Sequence, residues 1–143
     1  MRTSVAMCTY NGEKYIKNQL ESILNQSLSI DEIIICDDGS TDSTPSILQE
    51  YQQKDQRIRY QINAGNLGYN KNFEQAFQMA TADYIAISDQ DDIWESNKIA
   101  IADLIANCGP NIRKPNKRNG ILTNKIKSPT GIPDKAETSN EIP

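Results

Sequence analysis

The stretch "DEIIICDDGSTDSTP", residues 31 to 45, decides how this chain folds. Its core, "EIIIC" at 32 to 36, is a continuous apolar and β-branched run, the mark of a strand covered on both faces. The run breaks abruptly into "DDGSTDSTP". Thr44 followed by Pro45 predicts a helix N-cap and first helical position, and Ile47, Leu48 and Tyr51 then share one helical face. A buried strand, a polar loop and a helix in this order form half of a βαβ unit.

The same alternation extends both ways. Upstream, "TSVAMCTY" (3–10) reads as a short buried strand, followed by a turn at "YNGEKY". Ile16, Leu20, Ile23 and Leu24 then repeat on one face of an amphipathic helix. Downstream, "RIRYQI" (57–62) alternates with period two, as a half-exposed strand does. "NAGNLGYN" (63–70) is a polar loop, and Phe73, Ala76, Phe77 and Ala80 predict the next helix. "YIAIS" (84–88) reads as a fourth, buried strand. A last helix is expected to start near Ser96, carry Ile101, Leu104 and Ile105, and stop at Gly109-Pro110.

This order implies an α/β fold with right-handed crossovers and a mainly parallel sheet. Ligands of such sheets bind outside the carboxyl ends of the strands. Polar clusters stand at three of those ends: "TYNGE", "DDGS" and "SDQDD".

Composition narrows the chemistry. The 143 residues suit one domain, and 37% are apolar. Residues 110–143 hold 7 Lys+Arg against 3 Asp+Glu, whereas residues 1–109 hold 8 against 16, so a tail of +4 follows a domain of −8. An acidic domain argues against nucleic-acid binding, which needs a basic face on the fold itself. The basic, Pro-rich tail is expected to be disordered and solvated. The chain has no histidine, which removes His-based nucleophile systems and His-ligated zinc. Cys8, Cys36 and Cys108 lack metal-type spacing and read as free thiols, the first two buried in strands of a cytoplasmic protein. No apolar signal segment precedes Asn11, and no run approaches the roughly 18 apolar residues of a membrane span.

"SDQDD" places Asp89 and Asp91 two apart just past a strand end. Two carboxylates plus substrate phosphates are the usual holders of Mg²⁺ or Mn²⁺, and a cation offsets the repulsion within the cluster. The bland alternative is a solvated acidic turn. Asp37 and Asp38 can accept hydrogen bonds from a base or ribose, or form an Asx turn that caps the next helix. Tyr10 and Asn11 can frame a base, or "NG" can be a tight turn. Neither G-x-G-x-x-G nor G-x-x-x-x-G-K-[ST] occurs.

Together "SVAMCTYNGEKYIKNQLESILNQSL", "DEIIICDDGSTDST", "NAGNLGYNKNFEQA" and "ADYIAISDQDDIWESNKI" resemble the family-2 glycosyltransferases, in particular the bacterial "SDQDD.W", rhamnosyltransferase-like branch. The resemblance implies a GT-A, Rossmann-like fold, with residues 1–109 as the nucleotide-sugar-binding half. It implies that Thr9, Tyr10, Asn11 and Glu13 line the nucleotide pocket and that Asp38, with Asp37 as its donor-site neighbour, holds the base. Asp89 and Asp91 become the DxD pair, placing ribose and a Mg²⁺ or Mn²⁺ ion on the diphosphate of a UDP- or dTDP-linked donor. The triple acid leaves the register open, so Asp92 is an alternative ligand. The arginine that follows the loop in much of the family is replaced here by Phe73, with Lys71 the nearby candidate for the diphosphate. The acceptor, a glycan or lipid-linked glycan, implies work in the cytoplasm or at the inner face of the membrane.

Family members continue past the DxD strand into an acceptor-binding half with a carboxylate base. Asp134, Glu137 and Glu141 match no such motif, so the expectation is a truncated donor half with no catalytic base identified and a tendency to self-associate. Two alternatives remain open: a non-catalytic nucleotide- or metal-binding module that acts with a partner, and an aspartate-nucleophile phosphotransferase. The second fits poorly, because it leaves "DDGS" without a role.

Overall fold

The three isoleucines of 33–35 and Cys36 are fully buried in the computed structural model, which describes residues 2–108. They lie in β2 (Glu32–Asp37), the second strand of the chain order β1 (Thr3–Thr9), α1 (Ile16–Leu24), β2, α2 (Thr44–Lys54), β3 (Ile58–Ile62), α3 (Tyr69–Met79), β4 (Tyr84–Ser88) and α4 (Lys98–Cys108). The sheet order is β3-β2-β1-β4, and every pairing is parallel. The expectations for residues 110–143 lie outside the described residues.

Alternation along the two central strands divides the core. Val5, Met7, Ile33 and Ile35 face α1 and α2 and join Leu20, Ile23 and Leu48 in the larger cluster. Ala6, Ile34 and Cys36 face the other way, against Ala76 of α3. Each fully buried isoleucine contributes about 1.5–3 kcal/mol relative to exposure, which is why the unbroken run, and not alternation, marks β2.

Local chemistry departs from expectation in three places. Thr44 is the first residue of α2 and does not act as its cap. Its hydroxyl instead accepts from the Gly12 N–H at 2.9 Å, while Asp42 Oδ1 accepts from the Thr44 N–H. Second, β4 is only half-buried until Ser88, because β1 is its one strand neighbour among the described residues. Third, α4 begins at Lys98, and Ile99 is its core anchor. At about 3.6 residues per turn, Ile101, Leu104 and Ile105 fall on the side away from Ile99 and are exposed. Trp94 lies in the larger core cluster with the Lys98 ammonium 4.1 Å from its ring centroid, a packing role for the aromatic residue that follows the acidic loop.

At the amino edge of the sheet Glu32 acts as a staple. It accepts from Ser4 Oγ, the Thr81 N–H and the Ala82 N–H, and pairs with Arg59. Burial alone would raise its pKa, yet these donors and the guanidinium draw it down from 4.5 to about 2.

Candidate functional site

The carboxyl ends of β1, β2 and β4 converge on a cleft of about 430 Å³. Thr9, Tyr10, Asp38, Asp89 and Asp91 line it. Asn11, Glu13, Asp37, Lys71 and Asp92 are not among the lining residues, and the first three have other partners.

Those three tie the walls together. Asp37 is fully buried and accepts from Thr9 Oγ1 at 2.7 Å and from the Ser40 N–H and hydroxyl at 2.8 and 2.5 Å. Asn11 sits at φ 47°, a left-handed conformation that asparagine tolerates. Its N–H donates to Ser40 Oγ, and its Oδ1 accepts from the Thr41 N–H. Glu13 donates its N–H to Asp42 and accepts from the Ser43 N–H at 2.9 Å. The β1–α1 and β2–α2 loops are thereby zipped over their whole length. Lys71 is exposed on α3, and Phe73 beside it is buried with its ring 4.8 Å from that of Tyr69.

Asp38 organises the third wall. Its Oδ1 accepts from the Leu67 N–H at 2.7 Å and from Asn63 Nδ2, and its Oδ2 accepts from the Gly68 N–H at 2.9 Å. Gly68 has φ 84°, so the loop needs glycine where it meets the carboxylate. Burial raises the Asp38 pKa, but the three donors outweigh it and hold the group below the usual carboxylate range. Oδ2 accepts a single bond among the described residues, which leaves it capacity for a further donor in the cleft.

The fourth wall is the acidic loop. Tyr69 Oη lies 3.4 Å from Asp89 Oδ1; burial and then the Asp89 charge raise the phenol's pKa. Asp91 is exposed and makes no hydrogen bond among the described residues. Gln90, between the two acids, accepts from the Tyr10 N–H at 2.9 Å and donates to the Tyr10 carbonyl at 3.3 Å. Behind them Ser88 Oγ accepts from the buried Gln19 Nε2 at 2.6 Å. Cys8 also lines the cleft and is half-buried; burial, then its neighbours Cys36, Asp38 and Asp89, push its pKa up and keep it protonated.

Among the described residues no three His, Cys, Asp or Glu side chains converge into a ready metal cage. Two carboxylates that open onto one cleft nonetheless suit a hard divalent ion, which takes few protein ligands and fills its shell with phosphate oxygens and water. Asp92 is exposed and does not line the cleft, so Asp89 and Asp91 are the better-placed pair.

Gln90, Tyr69, Asn72 and Cys8 are cleft residues that sequence reasoning passed over. For Tyr69 the signal was available in "NAGNLGYN", whose Gly68 marks a left-handed loop entering a helix, whereas Asn72 lies past that stretch on α3. For Gln90 nothing local distinguishes the amide from any solvated polar residue.

A parallel α/β sheet with an acid-lined cleft at its carboxyl edge defines a ligand-binding class of wide chemistry. Residues 4–105 match the family model described as glycosyl transferase family 2, and the chain belongs to that family. This membership sets aside the aspartate-nucleophile phosphotransferase alternative. The chain is 42% identical over 98 residues to the dTDP-rhamnosyl transferase RfbG of Shigella flexneri, covering 65% of this chain and 34% of that protein. It superposes with a TM-score of 0.68 and 29% identity on S. aureus TarS solved in complex with UDP-GlcNAc, covering 74% of this chain and 31% of that one. A mannosyltransferase from Pyrobaculum calidifontis, in complex with GDP-Man and Mn²⁺, gives a TM-score of 0.70 at 25% identity, covering 76% and 33%. The fold is thus of the GT-A type, as the resemblance implied. The chain spans 28% to 38% of the lengths of the first curated relatives it matches. No helix among the described residues is long and apolar enough to cross a membrane.

Proposed function

We propose that the cleft binds a nucleotide-diphosphate sugar, with a UDP or dTDP carrier, and presents it for inverting transfer to a hydroxyl of a cell-surface polysaccharide precursor. The observation that carries this reading is the meeting of Thr9, Tyr10, Asp38, Asp89 and Asp91 in one cleft, in a chain that belongs to glycosyl transferase family 2.

In this reading the exposed Tyr10 ring packs against the base, and the free capacity of Asp38 Oδ2 accepts from a base N–H. Asp89 and Asp91 hold Mg²⁺ or Mn²⁺ with the donor diphosphate. The ion's contribution is to neutralise charge on the departing diphosphate. Tyr69 orients Asp89 through its hydroxyl. Removal of the acceptor proton falls to a carboxylate in the acceptor-binding half that the family resemblance implies, so the described residues carry donor capture alone. RfbG supports a deoxyhexose among the candidate sugars. The reaction is placed in the cytoplasm or at the inner membrane face, where sugar nucleotides are available.

Calorimetric titration of the chain with UDP and with dTDP, with and without Mn²⁺, tests the proposal. Mn²⁺ is expected to tighten binding, and Asp91→Asn to weaken the Mn²⁺-dependent affinity by about tenfold or more. Unchanged affinity in Asp91→Asn would overturn the metal assignment.

A further inference from the structure

We infer that Gln90 is a positioning residue: its amide, held on the Tyr10 backbone, couples the Asp89/Asp91 carboxylates to the loop on the nucleotide side of the cleft. This rests on the donor-site reading above and adds a residue and a coupling to it.

Parallel pairing of β1 with β4 ends at Met7↔Ser88, so Tyr10 lies beyond the reach of the β4 backbone. Gln90 takes over the ladder's task with a side chain. Its Oε1 accepts the Tyr10 N–H at 2.9 Å, and its Nε2 donates to the Tyr10 carbonyl at 3.3 Å. A carboxamide is the side-chain group that offers one donor and one acceptor in the spacing of a peptide. Glutamate at 90 would lose the donor and set a third charge between Asp89 and Asp91. Asparagine, one methylene shorter, would fall short of Tyr10.

Gly12 fits the same arrangement. A Cβ there would overlap Gln90 Oε1 and come within 2.9 Å of Gln90 Cδ, so the loop leaves room for this amide by omitting a side chain. The Tyr10 loop is in turn zipped to Ser40 and Thr41 through Asn11. A displacement of Gln90 therefore moves the acidic pair relative to two of the cleft walls at once.

The test separates coupling from simple structural support. UDP affinity is measured calorimetrically with and without Mn²⁺ for the full chain, Gln90→Ala, Gly12→Ala and the double variant, with thermal melts as folding controls. The expected result is that Gln90→Ala cuts the enhancement by Mn²⁺ about tenfold, a larger loss than any it causes in metal-free UDP affinity. Gly12→Ala, which displaces the amide without removing it, is expected to give the same loss. Because both act through one contact, the double variant should be no worse than Gln90→Ala. Gln90→Glu should not restore the enhancement. Equal loss of metal-free and Mn²⁺-dependent affinity would show mere structural support and overturn the inference, as would additive losses in the double variant or an unchanged Gln90→Ala. If Gln90→Ala fails to fold, the Gly12→Ala comparison decides on the same criterion. A wild-type chain that binds neither UDP nor dTDP would overturn the donor-site reading itself, an outcome distinct from wild-type binding with an unaffected Gln90→Ala.

Discussion

The Thr9 hydroxyl donates to Asp37 Oδ2 over 2.7 Å, joining the last residues of β1 and β2 at the rim of the cleft. Thr9 is 2% exposed and Asp37 0%, so water cannot replace either partner. Asp37→Ala strands the Thr9 hydroxyl and the Ser40 N–H, at a cost on the order of 3 kcal/mol. Urea unfolding should show the loss, and a cycle with Thr9→Val should show that the two changes are not additive.

Asp92 gives the contrasting case. It is exposed and stands outside the cleft, in water where its charge is screened. Asp92→Asn is expected to change Mn²⁺-dependent UDP affinity by no more than about twofold. A loss as large as that of Asp91→Asn would move the metal ligand to Asp92.

Acid destabilisation should run partly through Glu32. Its folded-state pKa of about 2 lies below the ordinary 4.5, so the unfolded chain takes up the proton more readily. The stabilisation is present in full above about pH 4.5 and is lost as pH falls towards 2. Glu32→Gln should therefore melt lower than the wild type at neutral pH, with the gap closing over that acidic window. A gap that stays constant would show that Glu32 contributes through packing and not charge.

Ile101, Leu104 and Ile105 are 42%, 59% and 48% exposed on α4. An exposed apolar helix face, in a chain whose β4 has one strand neighbour among the described residues, favours self-association. Light scattering of the isolated chain should show oligomers that Leu104→Lys with Ile105→Lys disperses. A monomeric wild type would contradict this.

The parts of the fold that were legible were those set by local pattern. The unbroken run at 32–36 has one good explanation, a strand with two covered faces, and β2 has both. "YIAIS" carries the same kind of run, yet its burial depends on neighbours that an apolar run does not name, and β4 is half-covered. On α4 the spacing of Ile101, Leu104 and Ile105 was a valid helical face, but Ile99 and not that face met the core. The acids of the site were legible as residues and less so as partners. Asp37 and Asp38 are adjacent in sequence, but one ties loops inside the wall and the other faces the cleft. Strand alternation sends neighbouring side chains to opposite sides, so only one of two consecutive acids can meet a given ligand. The amide of Gln90 reaches a backbone group 80 residues away, a relation that no local pattern encodes.

The zipped loops between Asn11–Glu13 and Ser40–Thr44 bear on how binding should look in a calorimeter. Two walls of the cleft are already ordered by their own hydrogen bonds, so the conformational entropy of fixing them is spent when the chain folds and not when a ligand arrives. Association at this edge should then resemble docking to a rigid surface, with a heat-capacity change that reflects the contact area alone and no added component from loop folding.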